Sequence, residues 1–370
     1  MPESNPKQAD LLALASRRSK SARTIRERLI LALLIGCGAI TIGITLGIIG
    51  ILLYETIQFF DPAGHPDGQH EISVVSPWEF FFGLQWNPTL GAEKHFGVWP
   101  LVVGTFKIAF VAMCFALPIG LIAAIWLSEY AKPKIRSIIK PVLEVLAGVP
   151  TVVFGFFAVT FITPMLLRWE WLRVPVLDQN GEKVYNEAGK LVTEPAGLFK
   201  LFDFDTFNAL GAGLAVGIMC LPIVISLSED ALRAVPRALR EGAYAMGASK
   251  FETSIKVVVP AALSGVSAAF LLAIARAVGE TMIVALAAGA SSVKLVEQGS
   301  WLANMKSTLA LDESVLPMTG FIVKVYTGDA EHGSIEYYSA YAVAGTLFVI
   351  TLGLTIIGNM IQKRFREKYD

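Results

Sequence analysis

EDALRAVPRALREGAYAMGASKFETSIK, residues 229–256, is a polar stretch set between two apolar runs, 207–228 and 257–290. Pro236 has no backbone donor and its ring clashes with a preceding turn, so the stretch reads as two short helices broken there. Leu239, Ala243 and Met246, followed past Gly247 by Phe251 and Ile255, form an apolar stripe. The stripe is too short to cross a bilayer and too apolar to be left in water, so it implies a surface on which another protein docks.

Four further apolar runs, 29–54, 98–127, 141–167 and 339–361, bring the candidate spans to six. Each reaches the length of about 20 residues that a helix needs to cross the hydrocarbon core. Of the 370 residues, 54% are hydrophobic and 17% charged, where about 25% charged is ordinary. That balance excludes disorder and a collagen-like chain, and favours a polytopic membrane protein over a soluble enzyme. Cys37, Cys114 and Cys220 lie inside apolar runs, where a thiol behaves as a small hydrophobe, which argues against a disulfide or zinc framework. The first run is uncharged over 26 residues. A signal-peptide core has only about 7 to 15, so this run is read as retained.

Charge decides the orientation. In the polar segments 1–28, 55–97, 128–140, 168–206, 229–256, 291–338 and 362–370, basic residues number 7, 1, 4, 5, 5, 3 and 4, against 3, 6, 1, 7, 4, 6 and 2 acidic ones. A basic excess in every other segment is what the positive-inside rule predicts for six crossings with both termini in the cytoplasm. Residues 1–28 are then a basic cytoplasmic tail, and 29–97 the first span with an external loop. Residues 98–362 are the main transmembrane domain with its cytoplasmic loop at 229–256, and 363–370 a second cytoplasmic tail. The net charge of zero points to no nucleic acid; the partner of the spans is membrane lipid.

In the first external loop, Trp78, Phe80, Phe81, Phe82 and Trp86 are expected at the headgroup level. His65 and His70, beside Asp61, Asp67 and Glu71, read as a solvated turn among Pro62, Gly64, Pro66 and Gly68 rather than a metal site. Between the third and fourth spans, Asn180-Gly181 flanked by Val174–Asp178 and Lys183–Tyr185 signals a hairpin, read as a tolerated insertion.

Glu241-Gly242-Ala243, then three residues, Gly247, nine residues and Val257-Val258-Val259-Pro260 resembles the EAA loop of importer-type ABC permeases. Spacing matches throughout; Gly242 replaces the middle Ala, and Val257 and Val259 replace Ile and Leu. Further segments resemble the PstC-type phosphate permeases: Ser76–Gly83 with Gln85–Pro88, Leu117-Pro118-Ile119-Gly120, Leu127–Tyr130, Ala147–Gly155 and Ala275-Arg276-Ala277-Val278-Gly279-Glu280-Thr281-Met282. The resemblance covers most of 76–362 and leaves out the N-terminal tail and the 168–206 loop. It implies an all-α polytopic membrane protein with the type I ABC importer permease fold, a coupling helix between helices 4 and 5, and a plasma (inner) membrane of a bacterium or archaeon. The implied partners are a second, PstA-like permease, two copies of a PstB-like ATPase and an external PstS-like phosphate-binding protein. Glu241, Gly242, Ala243, Gly247 and Pro260 would couple to the ATPase. No cofactor is implied.

Four charges fall inside the spans: Lys107, Glu144, Arg276 and Glu280. An intramembrane Arg costs about 2.5 to 3.5 kcal/mol on insertion scales and needs compensation. Arg276 and Glu280, four apart, would share a helix face, either as a mutually neutralising pair or as an anion site. In the second reading Arg276 offers a fixed charge and forked donors to an oxyanion, while Glu280 holds the Arg when the path is empty and weakens anion retention. The resemblance implies a transport role for both. Lys107, roughly 14 Å into its helix, adds positive field to the same pathway or pairs with Glu280. Glu144 is expected to pair with Lys140 at the interface. No phosphate-binding G-x-x-x-x-G-K-[ST] loop, H-E-x-x-H, C-x-x-C or G-x-S-x-G occurs, so the energy must come from another chain. The expected function is the permease subunit of an ATP-driven phosphate importer. Alternatives are a permease for another oxyanion or solute, and an ion-coupled secondary carrier.

Overall fold

The structure is a computed structural model that describes residues 6–61, 75–88, 94–167, 173–175, 193–195, 205–292, 295, 308, 310–328, 330–331 and 333–364. It divides into two units, Met1–Glu55 and Thr56–Asp370. The first holds most of helix α1 (Pro6–Phe60). Its apolar side chains face outward all round the axis, Leu34 at 61%, Ile42 at 63% and Ile51 at 60% exposure, as suits a helix solvated by lipid. The hydroxyls of Thr41 and Thr45 donate to carbonyls one turn back, of Cys37 and Thr41, and so need no other partner.

The second unit begins with the end of α1 and continues through α2 (Pro77–Phe82), the paired strands β1 (Trp86–Asn87) and β2 (His95–Phe96), and α3 (Trp99–Ile125) with a π-helical turn at Trp126–Tyr130. Next come α4 (Pro133–Ala147), α5 (Thr151–Phe157), a π-helical turn at Ala158–Ile162, α6 (Thr163–Leu167), and strands β3 (Arg173–Pro175) and β4 (Thr193–Pro195). The remainder is α7 (Ala209–Ala234), α8 (Arg237–Ala245), α9 (Lys250–Thr253) with a π-helical turn at Ser254–Val258, α10 (Val259–Ala261), α11 (Leu263–Val278), α12 (Met282–Ala287), α13 (Met318–Thr327) and α14 (Ile335–Arg364). Among the described residues, four stretches, Glu27–Phe60, Trp99–Tyr130, Ala209–Ala234 and Ile335–Ile361, are long and apolar enough to cross a membrane, and two bent helix pairs raise the number to six where each pair counts as one span.

Helices α3 and α7 form the centre. Gly213 lies against Ile108 and Val111, Gly217 against Ala112 and Phe115, and Gly120 against Val224. Residue numbers rise together along both helices, so the two run parallel, as the second and fourth of six crossings must. The missing side chains let the backbones close: a Cβ at Gly213 would sit 2.6 Å from Val111. Helix α11 runs the other way along α7, with Gly265 against Ala231 at one end and Arg276 against Met219 at the other.

Two expected spans are corrected. The run 141–167 is not one helix: α4 stops at Gly148, Pro150 begins the next segment, and the two halves meet at 87°. Pro150 disfavours helical geometry at the residue before it, which turns the chain. No side chain of α4 is buried; Ile135, Ile138, Val142 and Val145 face outward. Arg136 and Lys140 reach instead to Glu229, whose side chain is fully buried, at 2.8 and 3.3 Å, and Lys140 also pairs with Asp230. Lys140 is therefore paired to α7 and not to Glu144. The run 257–290 is likewise broken, by a 71° bend after Ala261 and again at Gly279, where α11 ends.

The aromatics expected at the headgroup level divide into two sets. Phe80 and Trp86 are 1% and 3% exposed, within ring contact of Phe59, Phe96 and Phe321, whereas Trp78, Phe81 and Phe82 face outward. The first pair is thus core, and only the second set remains at a surface. Strand β3 pairs with β4, Arg173 opposite Pro195, so the hairpin closes farther along the chain than Lys183–Tyr185. Asn180-Gly181, His65 and His70 lie outside the described residues. Within the loop expected at 291–338, α13 buries Met318, Phe321 and Val325 and is too short to span.

Candidate functional site

Arg276 projects from the last turn of α11 beside the sulfur of Met219, Nη2 to Sδ 3.8 Å. Met219 stands ten residues from the start of α7 and fifteen from its end, which places the guanidinium near mid-depth of that helix. The Arg276 residue is exposed at the surface of this chain, as are Leu272, Gly279 and Met282 around it. Among the described residues, no carboxylate lies within ion-pair distance of it.

The shared helix face expected for Arg276 and Glu280 is not formed. Gly279 caps α11, its N–H returning to the carbonyl of Ala275, so the helix has ended before Glu280. Glu280 is 7% exposed. Its carboxylate turns to the start of α12, accepting at 3.5 Å from the N–H of Ile283, and its carbonyl accepts from the hydroxyl of Thr319 at 2.7 Å. Arg276 and Glu280 are still neighbours, both within electrostatic reach of Cys220 on α7. The arrangement is an outward-facing guanidinium with a buried carboxylate behind it, separated by a helix break. Interrupted backbone at membrane depth is tolerated where it is buried in protein or lines a cavity.

Lys107 belongs to another neighbourhood. Its Nζ donates to the carbonyl of Ala310 at 2.8 Å, with Glu313 and Asp312 within electrostatic reach. The irregular stretch there is bound on several sides: Leu210 N–H to the Leu311 carbonyl, Ala209 N–H to that of Glu313, Val315 N–H to that of Ala288, and Met318 N–H to the Thr105 hydroxyl. Lys107 thus fastens this segment to α3, and pairs with it rather than with Glu280.

At the far end of α7, α8 carries Glu241, Gly242 and Ala243 and buries none of its side chains. Glu241 is exposed, no atom lies within 4 Å of where a Cβ on Gly242 would be, and Met246 is 89% and Phe251 67% exposed. Gly247 has φ +84, the left-handed turn that ends α8. Ser249 then starts α9 through a reciprocal capping box with Glu252, and its N–H and hydroxyl hold the Glu252 carboxyl below its ordinary value. Pro260 lies at the end of the segment, just before the 71° bend into α11. Sequence reasoning missed what holds this loop. Arg240 donates to both oxygens of Glu129, at 3.0 and 3.4 Å, and to the carbonyls of Val235 and Leu232, at 2.6 and 2.8 Å. The Lys250 ammonium sits 5.0 Å over the Tyr130 ring. The signal available was that Arg240 directly precedes Glu241. Among the described residues no group of three His, Cys, Asp or Glu could hold a metal ion.

Four to six candidate spans among the described residues, charged groups within them and an exposed loop rich in apolar side chains define a multi-pass membrane protein with a docking surface. It belongs to the family of binding-protein-dependent transport system inner membrane components, whose sequence model matches residues 116–367. The chain is similar to the probable ABC transporter permease protein YqgH of Bacillus subtilis, 27% identical over 355 residues, which cover 95% of this chain and 94% of that one. It is similar also to the phosphate transport system permease protein PstC 1 of Mycobacterium tuberculosis, 31% identical over 275 residues, covering 66% and 74%. Among solved structures, the methionine ABC transporter MetNI in inward-facing conformations aligns with 73% of this chain and 98% of its own, at 15% identity and a TM-score of 0.47. The protein is therefore a multi-pass inner-membrane permease component of a binding-protein-dependent ABC importer, and not itself an ATPase. Such a permease works with a partner permease, an ATPase and a binding protein.

Proposed function

We propose that the imported solute is phosphate and that this chain forms the translocation pathway with a second, PstA-like permease, driven by two PstB-like ATPases and fed by a PstS-like binding protein. The observation that carries the reading is the mid-depth guanidinium of Arg276, open at the surface of this chain and without an anion among the described residues. Lipid cannot solvate it, so a second polypeptide has to cover that face and leave a polar path between. A guanidinium presents a planar fork of donors that matches a tetrahedral oxyanion. The buried Glu280 behind it lowers the net positive field, so an anion passes instead of staying. Relatives named as phosphate permeases support the choice of solute.

Glu241, Gly242, Ala243, Gly247 and Pro260 act at the other end, presenting α8 to a groove on the ATPase, with this loop and both termini in the cytoplasm. Lys107 contributes to the pathway only through the segment it fastens. The test is uptake of labelled phosphate against sulfate by the reconstituted importer, with and without Arg276→Gln. Phosphate-selective uptake lost in the variant supports the reading; equal uptake of sulfate, or normal uptake by the variant, refutes it.

A further inference from the structure

Helix α8 buries no side chain of its own, yet any stroke an ATPase delivers to it must reach the spans. Among the described residues, the side-chain hydrogen bonds from this helix to the ends of the spanning helices converge on Arg240. Arg240 reaches back from α8 to the carbonyls of Leu232 and Val235, which end α7, and forks onto both carboxylate oxygens of Glu129. Glu129 sits in the π-helical turn that ends α3, and its side chain is 6% exposed while that of Arg240 is 16% exposed. The Ser128 hydroxyl donates to the same carboxylate at 3.1 Å. A π-helical turn carries one more residue per hydrogen-bonded loop than an α-helix, which swings the following side chains round the axis. Here the turn faces Glu129 toward Arg240 and Tyr130 toward Lys250 on α9, so both arms of the loop are held at the end of α3.

We propose that Arg240 and Glu129 are positioning residues forming the mechanical link through which α8 moves α3 and α7 together. The inference rests on reading α8 as the ATPase-docking helix. Three features support a transmitting role over simple anchorage. The guanidinium engages the ends of two different spanning helices, its pair is largely shielded from water, and those two helices are the close-packed parallel pair of the core. Helix α7 also carries Met219, against which Arg276 of α11 rests, so the link grips the helix that the mid-depth cation touches. A fork to a carboxylate resists both sliding and rotation, whereas a single ammonium contact does not.

The experiment uses the whole importer in proteoliposomes, with Arg240→Gln, Glu129→Gln and the double variant. Three quantities are read: ATPase co-purified, phosphate imported per ATP hydrolysed, and the ATP-driven change of a fluorophore attached at Phe110→Cys on α3 in a background lacking Cys37, Cys114 and Cys220. Both single variants should retain the ATPase, because the outward face of α8 is untouched. Import per ATP should fall about 10-fold, within the usual span of coupling between sites, and the fluorophore response should fade. The double variant should do no worse than the poorer single one, since both remove one link. Normal import per ATP in either variant, or losses that multiply in the double, overturns the proposal. Loss of ATPase attachment in both variants overturns it too, placing Arg240 and Glu129 in the docking site itself. A wild-type complex that binds no ATPase overturns the underlying reading of α8 and the link with it. A wild-type complex that binds ATPase but imports no phosphate refutes only the solute, and the fluorophore response still decides the link.

Discussion

Arg276 is the residue on which the proposed choice of solute turns. Its guanidinium has a sulfur and no oxygen within bonding reach among the described residues, so its donors are free to meet a passing anion. Charge-assisted hydrogen bonds contribute about 1.5 to 3 kcal/mol each. Arg276→Gln removes the charge and the fork together, and phosphate uptake should fall about 100-fold or more on that scale, while the complex still assembles. Retained uptake with normal assembly counts against the assignment. Arg276→Lys keeps the charge as a point and should retain part of the rate. The Arg itself was legible because a cation in an apolar run is costly and needs a reason. The fate of its companion was less so. Spacing of four suggests one helix face, but Gly279 ends the helix between the two residues, and Gly is the residue that most often follows a helix end. Lys107 could not have been placed from local sequence, since its acceptor, Ala310, is two hundred residues away in the chain.

At the level of elements, the loop between α7 and α11 depends on two turns and a cap. Gly247 adopts φ +84 with open space around the position of a Cβ, so a substitution there acts through the backbone and not by a clash. A β-branched residue pays roughly 1 to 2 kcal/mol in this region. Gly247→Val should therefore tilt α9 against α8 and reduce co-purification of the ATPase, leaving the spans folded; unchanged co-purification contradicts the docking role. The α3–α7 contact fails differently. Gly213→Leu drives a side chain into Val111 and the Ile108 carbonyl, and should cost at least about 1 to 3 kcal/mol, read as a lower melting temperature in detergent. The motif around Gly247 was legible because its spacing is local and its turn residue is obligatory. The small residues that let α3 and α7 approach were visible too, though not which helices they would join. The break in the third run was written in Gly148-Val149-Pro150, but counting apolar residues hides it, since Val142 and Val145 look the same on a surface helix as inside a span. Helix α13 escaped for a related reason, its ten residues being too few for a span and too apolar for a loop.

For the whole molecule, the proposed reading gives the two ends of the bundle separate tasks, and the charge pattern of the sequence predicts a side of the membrane for each. Basic residues are concentrated in 1–28, 128–140, 229–256 and 362–370. The parallel course of α3 and α7 and the opposite course of α11 agree with alternating crossings. Single cysteines placed in residues 1–28 and in 365–370, in a background without Cys37, Cys114 and Cys220, should then react with an impermeant maleimide only after intact cells are opened. A cysteine at the exposed Trp78 should react beforehand. The same sidedness makes ATP effective from one face. In proteoliposomes, phosphate should accumulate only when ATPase and ATP are on the side that carries Met246 and Phe251, and the binding protein on the side that carries Trp78. An anion moved inward against a negative potential of 100 mV needs about 2.3 kcal/mol per charge. A path lined by one Arg supplies no such work, so on the proposed reading the stroke enters through α8 and travels along the helices that Arg240 joins. Accumulation without the ATPase, or with ATP on the Trp78 side alone, refutes entry of the stroke through α8.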